Sequence, residues 1–149
     1  VNTLADVSRN KMPAKDIYHD AVKNALIKDG WTIIADPYFL QYEDAELYAD
    51  LFVEKSLLVE QEGRKIVVEI KSFISPSPMK DFENALGQYI LYRDILRLAN
   101  KDYEIYLAIR DTIFDTFFLR KSIQAVVKRN QIEFIIFNNE REEITLWIN

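Results

Sequence analysis

The stretch Ile66-Val67-Val68-Glu69-Ile70-Lys71-Ser72-Phe73, IVVEIKSF, decides how this chain folds. Its β-branched run reads as a buried strand, yet Glu69 and Lys71 sit inside it. Residues two apart on a strand point to the same face, so these two charges are neighbours. Burying charge without a partner is costly, so something must hold them. Either a structural ion pair or a chemical centre would do so.

The segment before it gives two candidate partners. Residues 47–61 and 65–73 read as two strands joined by a two-residue turn at Glu62-Gly63. Leu51, Val53, Leu57 and Val59 are apolar at odd positions, and Ile66, Val68 and Ile70 at even ones. A turn pairing Gln61 with Arg64 sets odd positions against even ones, so the apolar sets share one face. Asp50, Glu54, Glu69 and Lys71 then share the other. This register pairs Lys71 with Glu54 and leaves Asp50 four residues further on, about 13 Å away at ~3.3 Å per residue. For Asp50 to reach Glu69, the first strand must bend or bulge.

Outward from this hairpin, the apolar spacing of Ile17, Tyr18, Ala21, Val22, Ala25 and Leu26 predicts a helix over about Ala14 to Asp29, stopped by Gly30. WTIIADP, 31–37, is a short strand. In SPSP, Ser77 is the expected N-cap and Pro78 the first residue of a helix over about Met79 to Ala99. Strand YEIYLAIR, 103–110, is followed by a helical stretch over about Thr116 to Asn130. Two strands, IEFIIFN and EITLWIN, close the chain around the turn NERE. The order α-β-β-β-α-β-α-β-β predicts a mixed α/β fold, one central mixed sheet flanked by helices. Residues 12–149 read as a single domain, and residues 1–11, with little periodicity, as an N-terminal extension or tail.

Composition narrows the chemistry. The 149 residues carry a net charge of −5, contain no cysteine and hold one histidine, His19. Disulfides, thiolate zinc sites, cysteine nucleophiles and mechanisms needing two imidazoles are excluded. No apolar run approaches the ~20 residues of a membrane helix. The absence of cysteine suits a reducing cytosol, so the expected location is cytoplasmic, without a membrane partner. Carboxylates remain as the metal-binding chemistry. Asp50 and Glu69 meeting on one sheet face can hold a divalent cation through oxygen, and Lys71 can act on the attacking water or neutralise charge on a phosphate. The bland alternative is a Glu54–Lys71 cross-strand ion pair.

Asp50 followed by Glu69-Ile70-Lys71 resembles the PD-(D/E)XK nucleases, the restriction-endonuclease-like fold; Ala49 stands where that signature's name has proline. Gln88-Tyr89-Ile90-Leu91-Tyr92 resembles the Q-x-x-x-Y helix motif of its RecB-like branch, placing Gln88 and Tyr92 on one helix face. That branch also draws a histidine ligand from its first helix, and His19 matches. The resemblance implies Mg²⁺ or Mn²⁺ held by His19, Asp50 and Glu69, with Lys71, Gln88 and Tyr92 serving catalysis. Over the long strings MPAKDIYHDAVKNALIKDGWTIIADP, VVEIKSF and FENALGQYILYRDIL, the chain looks like the XisH family of fdxN-element excision controlling factors of cyanobacteria. The family implies action on DNA in programmed excision, beside a recombinase and an XisI-like companion. It leaves open whether the chain cuts DNA or serves as a non-catalytic accessory factor.

Two surface features stay ambiguous. Arg93, Arg97, Lys101, Arg120, Lys121, Lys128 and Arg129 form either a solvated face or a thin phosphate-contacting patch. FDTFFL, 114–119, is either core or a homodimer contact.

Overall fold

The computed structural model describes residues 14–56 and 63–149. The chain runs α1 (His19–Lys28), β1 (Thr32–Ala35), β2 (Tyr38–Tyr42), β3 (Ala45–Ala49), β4 (Leu51–Lys55), β5 (Arg64–Ile70), α2 (Pro78–Leu98) and β6 (Glu104–Arg110). It continues with a short α3 (Asp111–Phe114), a 3-10 turn (Phe117–Leu119), α4 (Lys121–Arg129), β7 (Phe134–Asn138) and β8 (Glu143–Ile148). Six strands form one mixed sheet in the order β1-β4-β5-β6-β7-β8, and β2 and β3 form a separate hairpin. Strands β5, β6 and β7 are parallel; the other neighbours are antiparallel. Parallel neighbours need long crossovers, and α2 and α4 lie in them.

Alternation along the strands divides the core in two. Val67, Leu107, Ile109, Phe134 and Ile136 pack with Phe82, Tyr89 and Leu96 of α2. Ile66, Val68, Ile70, Tyr106, Ala108, Ile135 and Phe137 pack on the opposite face with Val22 and Leu26 of α1. This is the central mixed sheet flanked by helices that the element order predicts.

The hairpin register is different from the expected one. Lys55 pairs with Arg64, Glu54 with Lys65 and Leu51 with Val68, in place of the expected pairing of Gln61 with Arg64. Leu57, Val59 and Glu62 lie outside the described residues, as does the expected tail at 1–11. The slip is an even number of residues, so every side chain keeps its predicted face. The partners change. Glu54 meets Lys65, at 3.7 Å, and not Lys71. Carried back one more residue, the same diagonal sets Asp50 opposite Glu69. The face shared by Asp50 and Glu69 also holds buried Phe52 and Val67, so it is core and not a polar surface.

The expected single strand over 47–61 is two strands. β2 pairs with β3 from Tyr38–Ala49 to Tyr42–Ala45, the chain bends at Asp50, and β4 then enters the main sheet. Asp50 therefore sits at the hinge between two sheets.

The helix ends follow the local rules. α1 starts later than expected, leaving Ile17 outside it and exposed. Its C-terminus is closed by Gly30, at φ +91°, with the Trp31 N–H donating to the Leu26 carbonyl at 3.0 Å. Ser77 accepts from the Lys80 N–H at 3.3 Å ahead of Pro78. The expected helix over 116–130 is broken before Lys121 because Phe117 and Phe118 turn inward. Phe118 packs against Phe73, Phe82 and Phe134 at centroid distances of 5.3–5.6 Å. Within FDTFFL, these two rings are core.

Candidate functional site

The bend at Asp50 and the end of β5 build a small cleft. Asp50 and Glu69 tie the two strands together reciprocally. The Asp50 N–H donates to Glu69 Oε1 at 2.9 Å, and the Ile70 N–H donates to Asp50 Oδ2 at 2.7 Å. One oxygen of each carboxylate is left without a hydrogen bond among the described residues. The cleft, about 100 Å³, is lined by Asp16, Tyr48, Asp50, Glu69, Lys71 and Gln88, among others.

Two carboxylates this close repel, and burial adds to the cost of charging them. Burial, then the charge of Asp50, pushes the Glu69 carboxyl well above its ordinary range. The Asp50 carboxyl is also pushed up by burial, while the Ile70 N–H and the charges of His19 and Lys71 pull it down. Lys71 is the nearby cation that partly offsets both, and it is half-exposed at the cleft.

Backbone geometry fixes Lys71 from both sides. Its N–H continues the sheet to the Ala108 carbonyl at 3.1 Å. The Ser72 N–H donates to Asp16 Oδ2 at 2.9 Å, and Arg110 donates to the Ser72 carbonyl at 3.2 Å. Phe73 then takes a left-handed φ of +53°, held by burial of its ring against Phe117 and Phe118. Strand β5 therefore stops sharply after the lysine.

The α2 residues divide their tasks. Gln88 lines the cleft, and its buried Oε1 has no partner among the described residues. The Tyr92 hydroxyl donates to the Tyr48 carbonyl at 3.1 Å, two residues before Asp50. Its acidity is suppressed by burial and by the charges of Glu69 and Asp50, which push its pKa up to about 12. Tyr92 is therefore a tether for the strand that carries Asp50, and it keeps its proton at neutral pH.

His19 is buried in α1. Its Nε2 lies 2.7 Å from Asp36 Oδ1, and its buried Nδ1 has no partner among the described residues. Burial pushes the Asp36 carboxyl up, but the hydrogen bonds of Lys23, at 2.8 Å, and of His19 outweigh it and hold Asp36 below the usual range. Among the described residues, no three His, Asp or Glu side chains converge closely enough to hold a metal ion by themselves.

The sequence reading missed Asp16, Asp36 and Tyr48. Asp16 had a signal: an aspartate just ahead of a helix, here accepting from the Tyr18 N–H at 2.9 Å. Asp36 and Tyr48 act through contacts far along the chain, for which local sequence carries no mark.

The comparisons with known proteins agree with this architecture. The family model described as XisH protein matches residues 12–145. A crystal structure of an XisH family protein from Nostoc punctiforme is similar, with 38% identity and a TM-score of 0.82 over 90% of this chain and 100% of that one. So is the structure of an fdxN element excision controlling factor protein from Anabaena variabilis, with 37% identity and a TM-score of 0.81 over 91% and 100%. No curated protein matches the chain. The family match spans nearly all of the sequence, and both relatives align over their full length, so the chain belongs to the XisH family.

Proposed function

We propose that this protein acts on DNA in the programmed excision of a DNA element, through a metal-dependent endonuclease centre of PD-(D/E)XK type on a restriction-endonuclease-like sheet. The observation that carries this reading is the convergence of Asp50, Glu69, Lys71 and Gln88 on one cleft at the bend between two sheets. The name of the Anabaena variabilis relative, an fdxN element excision controlling factor, supports the setting. A recombinase and an XisI-like companion are the partners such a role calls for.

The donor set fits Mg²⁺ or Mn²⁺. Such ions are commonly held by one or two carboxylates, with water and substrate phosphate completing the shell. Asp50 and Glu69 would supply the carboxylates; His19, hydrogen-bonded to Asp36, does not line the cleft and stands outside this set. A bound divalent ion lowers the pKa of its water and stabilises charge on the phosphoryl group. Lys71 places a positive charge where a phosphate oxygen becomes more negative. Gln88 offers its unsatisfied amide oxygen to orient a water or Lys71. Tyr92 holds the Asp50 strand in place through Tyr48.

The test is cleavage of plasmid and linear DNA by purified protein with Mg²⁺ or Mn²⁺. Glu69→Ala and Lys71→Ala should each reduce cleavage by about 100-fold or more. Variants that cut as well as the parent would refute this centre.

A second reading, a non-catalytic accessory factor that keeps the fold and binds DNA or an XisI-like protein, is favoured by the net charge of −5 and by the absence of a closed three-ligand set among the described residues. Co-purification with an XisI-like protein without cleavage under any metal supports it. Metal-dependent cleavage abolished by Asp50→Asn eliminates it.

A further inference from the structure

A second, much larger cleft, about 1070 Å³, lies at the opposite end of β5 and β6. It is enclosed by the C-terminal part of α2, by α4 and by the starts of β6 and β7. Its size matches sites that take a sizeable ligand. Arg93 and Arg97 follow one helical turn apart on α2, about 6 Å at ~1.5 Å per residue, and Lys101 comes just past its end. Lys121 and Lys128 line the same cleft from α4.

Arg97, Lys101, Lys121 and Lys128 are exposed, whereas the half-buried Arg93 guanidinium donates to the Asn130 carbonyl at 2.6 Å and lies over the Tyr89 ring. None of the five is in an ion pair among the described residues, although the chain carries more acids than bases. Elsewhere, six of the twelve described cations have a carboxylate partner, so the cleft differs in gathering its unpaired cations in one place. Three acids, Asp102, Glu104 and Glu133, line the cleft beside the five cations, so its side-chain charge stays positive. Glu104 is engaged by Arg64 at 3.2 Å, and Glu133 is crowded by Glu104. Half-buried Tyr103 and Val127 supply an apolar wall to the cleft.

We infer that this cleft binds a single strand of nucleic acid, its phosphates on the cleft's cations and its bases against the apolar wall. Cations enter the cleft from both α2 and α4, more than one phosphate needs, which favours a strand over a free nucleotide. The inference is independent of hydrolysis, because the cleft is separate from the one holding Asp50 and Glu69.

The test is fluorescence anisotropy of a labelled oligothymidylate of about 15 nucleotides, in EDTA so that metal-dependent cleavage plays no part. The parent should bind with a strong salt dependence. The triple variant R97Q/K101Q/K128Q should bind at least about 10-fold more weakly, its log–log salt slope smaller by about 2. The charge-matched control K55Q/K80Q/R141Q should bind like the parent. Absence of binding by the parent, equal loss in the control, unchanged binding by the R97Q/K101Q/K128Q protein, or equally effective competition by ATP would each overturn the inference.

Discussion

The two clefts group like charges in opposite ways. At the end of β5, two carboxylates are forced together inside a cleft of about 100 Å³, each clamped by a backbone N–H of the other's strand. At the far end, five cations line an open cleft ten times larger, and water screens the four exposed ones, Arg97, Lys101, Lys121 and Lys128. Crowding buried charge costs folding free energy and shifts the pKa of both groups; spreading exposed charge costs little. The carboxylate cleft therefore reports through stability and pH, and the cationic cleft through salt.

The largest expected effect is metal stabilisation at the carboxylate cleft. Mg²⁺ or Mn²⁺ at 100 times its Kd should stabilise the parent by about 2.7 kcal/mol, with a corresponding rise in Tm. Asp50→Asn and Glu69→Gln should abolish that rise. Equal rises in parent and variants would place the ion elsewhere.

Next comes the pH dependence without metal. A carboxyl with a raised native pKa keeps a proton that the unfolded chain has already released. Its contribution to stability is therefore lost as pH rises from about 4 through the raised native value. Both Glu69 and Asp50 are shifted in this direction. Urea unfolding in EDTA should show stability falling between pH 5 and pH 8. Glu69→Gln should flatten that fall and be roughly 1–3 kcal/mol more stable than the parent at pH 8. A steeper fall in the variant would contradict the assignment.

Tyr92→Phe should cost about 1 kcal/mol, the worth of one hydrogen bond to the Tyr48 carbonyl. The loss should be the same from pH 5 to 8, because its pKa of about 12 keeps Tyr92 neutral throughout. A loss that grows across this range would show that the hydroxyl titrates. The smallest effect belongs to the cationic cleft: R97Q/K101Q/K128Q should alter stability by no more than about 0.5 kcal/mol. A larger change would mean that these side chains help hold the fold together.

Local chemistry made much of this molecule legible. The alternation of Ile66, Val68 and Ile70 against Leu51 and Val53 assigned one sheet face correctly, because a strand's side chains must alternate. Ser77, Pro78 and Gly30 marked helix ends, because capping depends on a few adjacent residues. The order of elements implied a mixed sheet with helices on its flanks, and the long matching strings pointed to the XisH family.

Tertiary structure decided the rest. An even slip of register preserves every face, so alternation could not tell the Lys55–Arg64 pairing from the Gln61–Arg64 pairing. That slip alone moved Glu54 from Lys71 to Lys65 and brought Asp50 opposite Glu69. The β2–β3 hairpin and the bend at Asp50 were hidden because the strands on either side of the bend carry similar apolar patterns. The partners Asp36, Tyr48 and Asp16, 17 to 56 residues away from the groups they hold, exist only once the chain is folded. The residues of IVVEIKSF determined that two charges would lie on one face of a buried strand; the packing of distant segments determined which carboxylate would meet them.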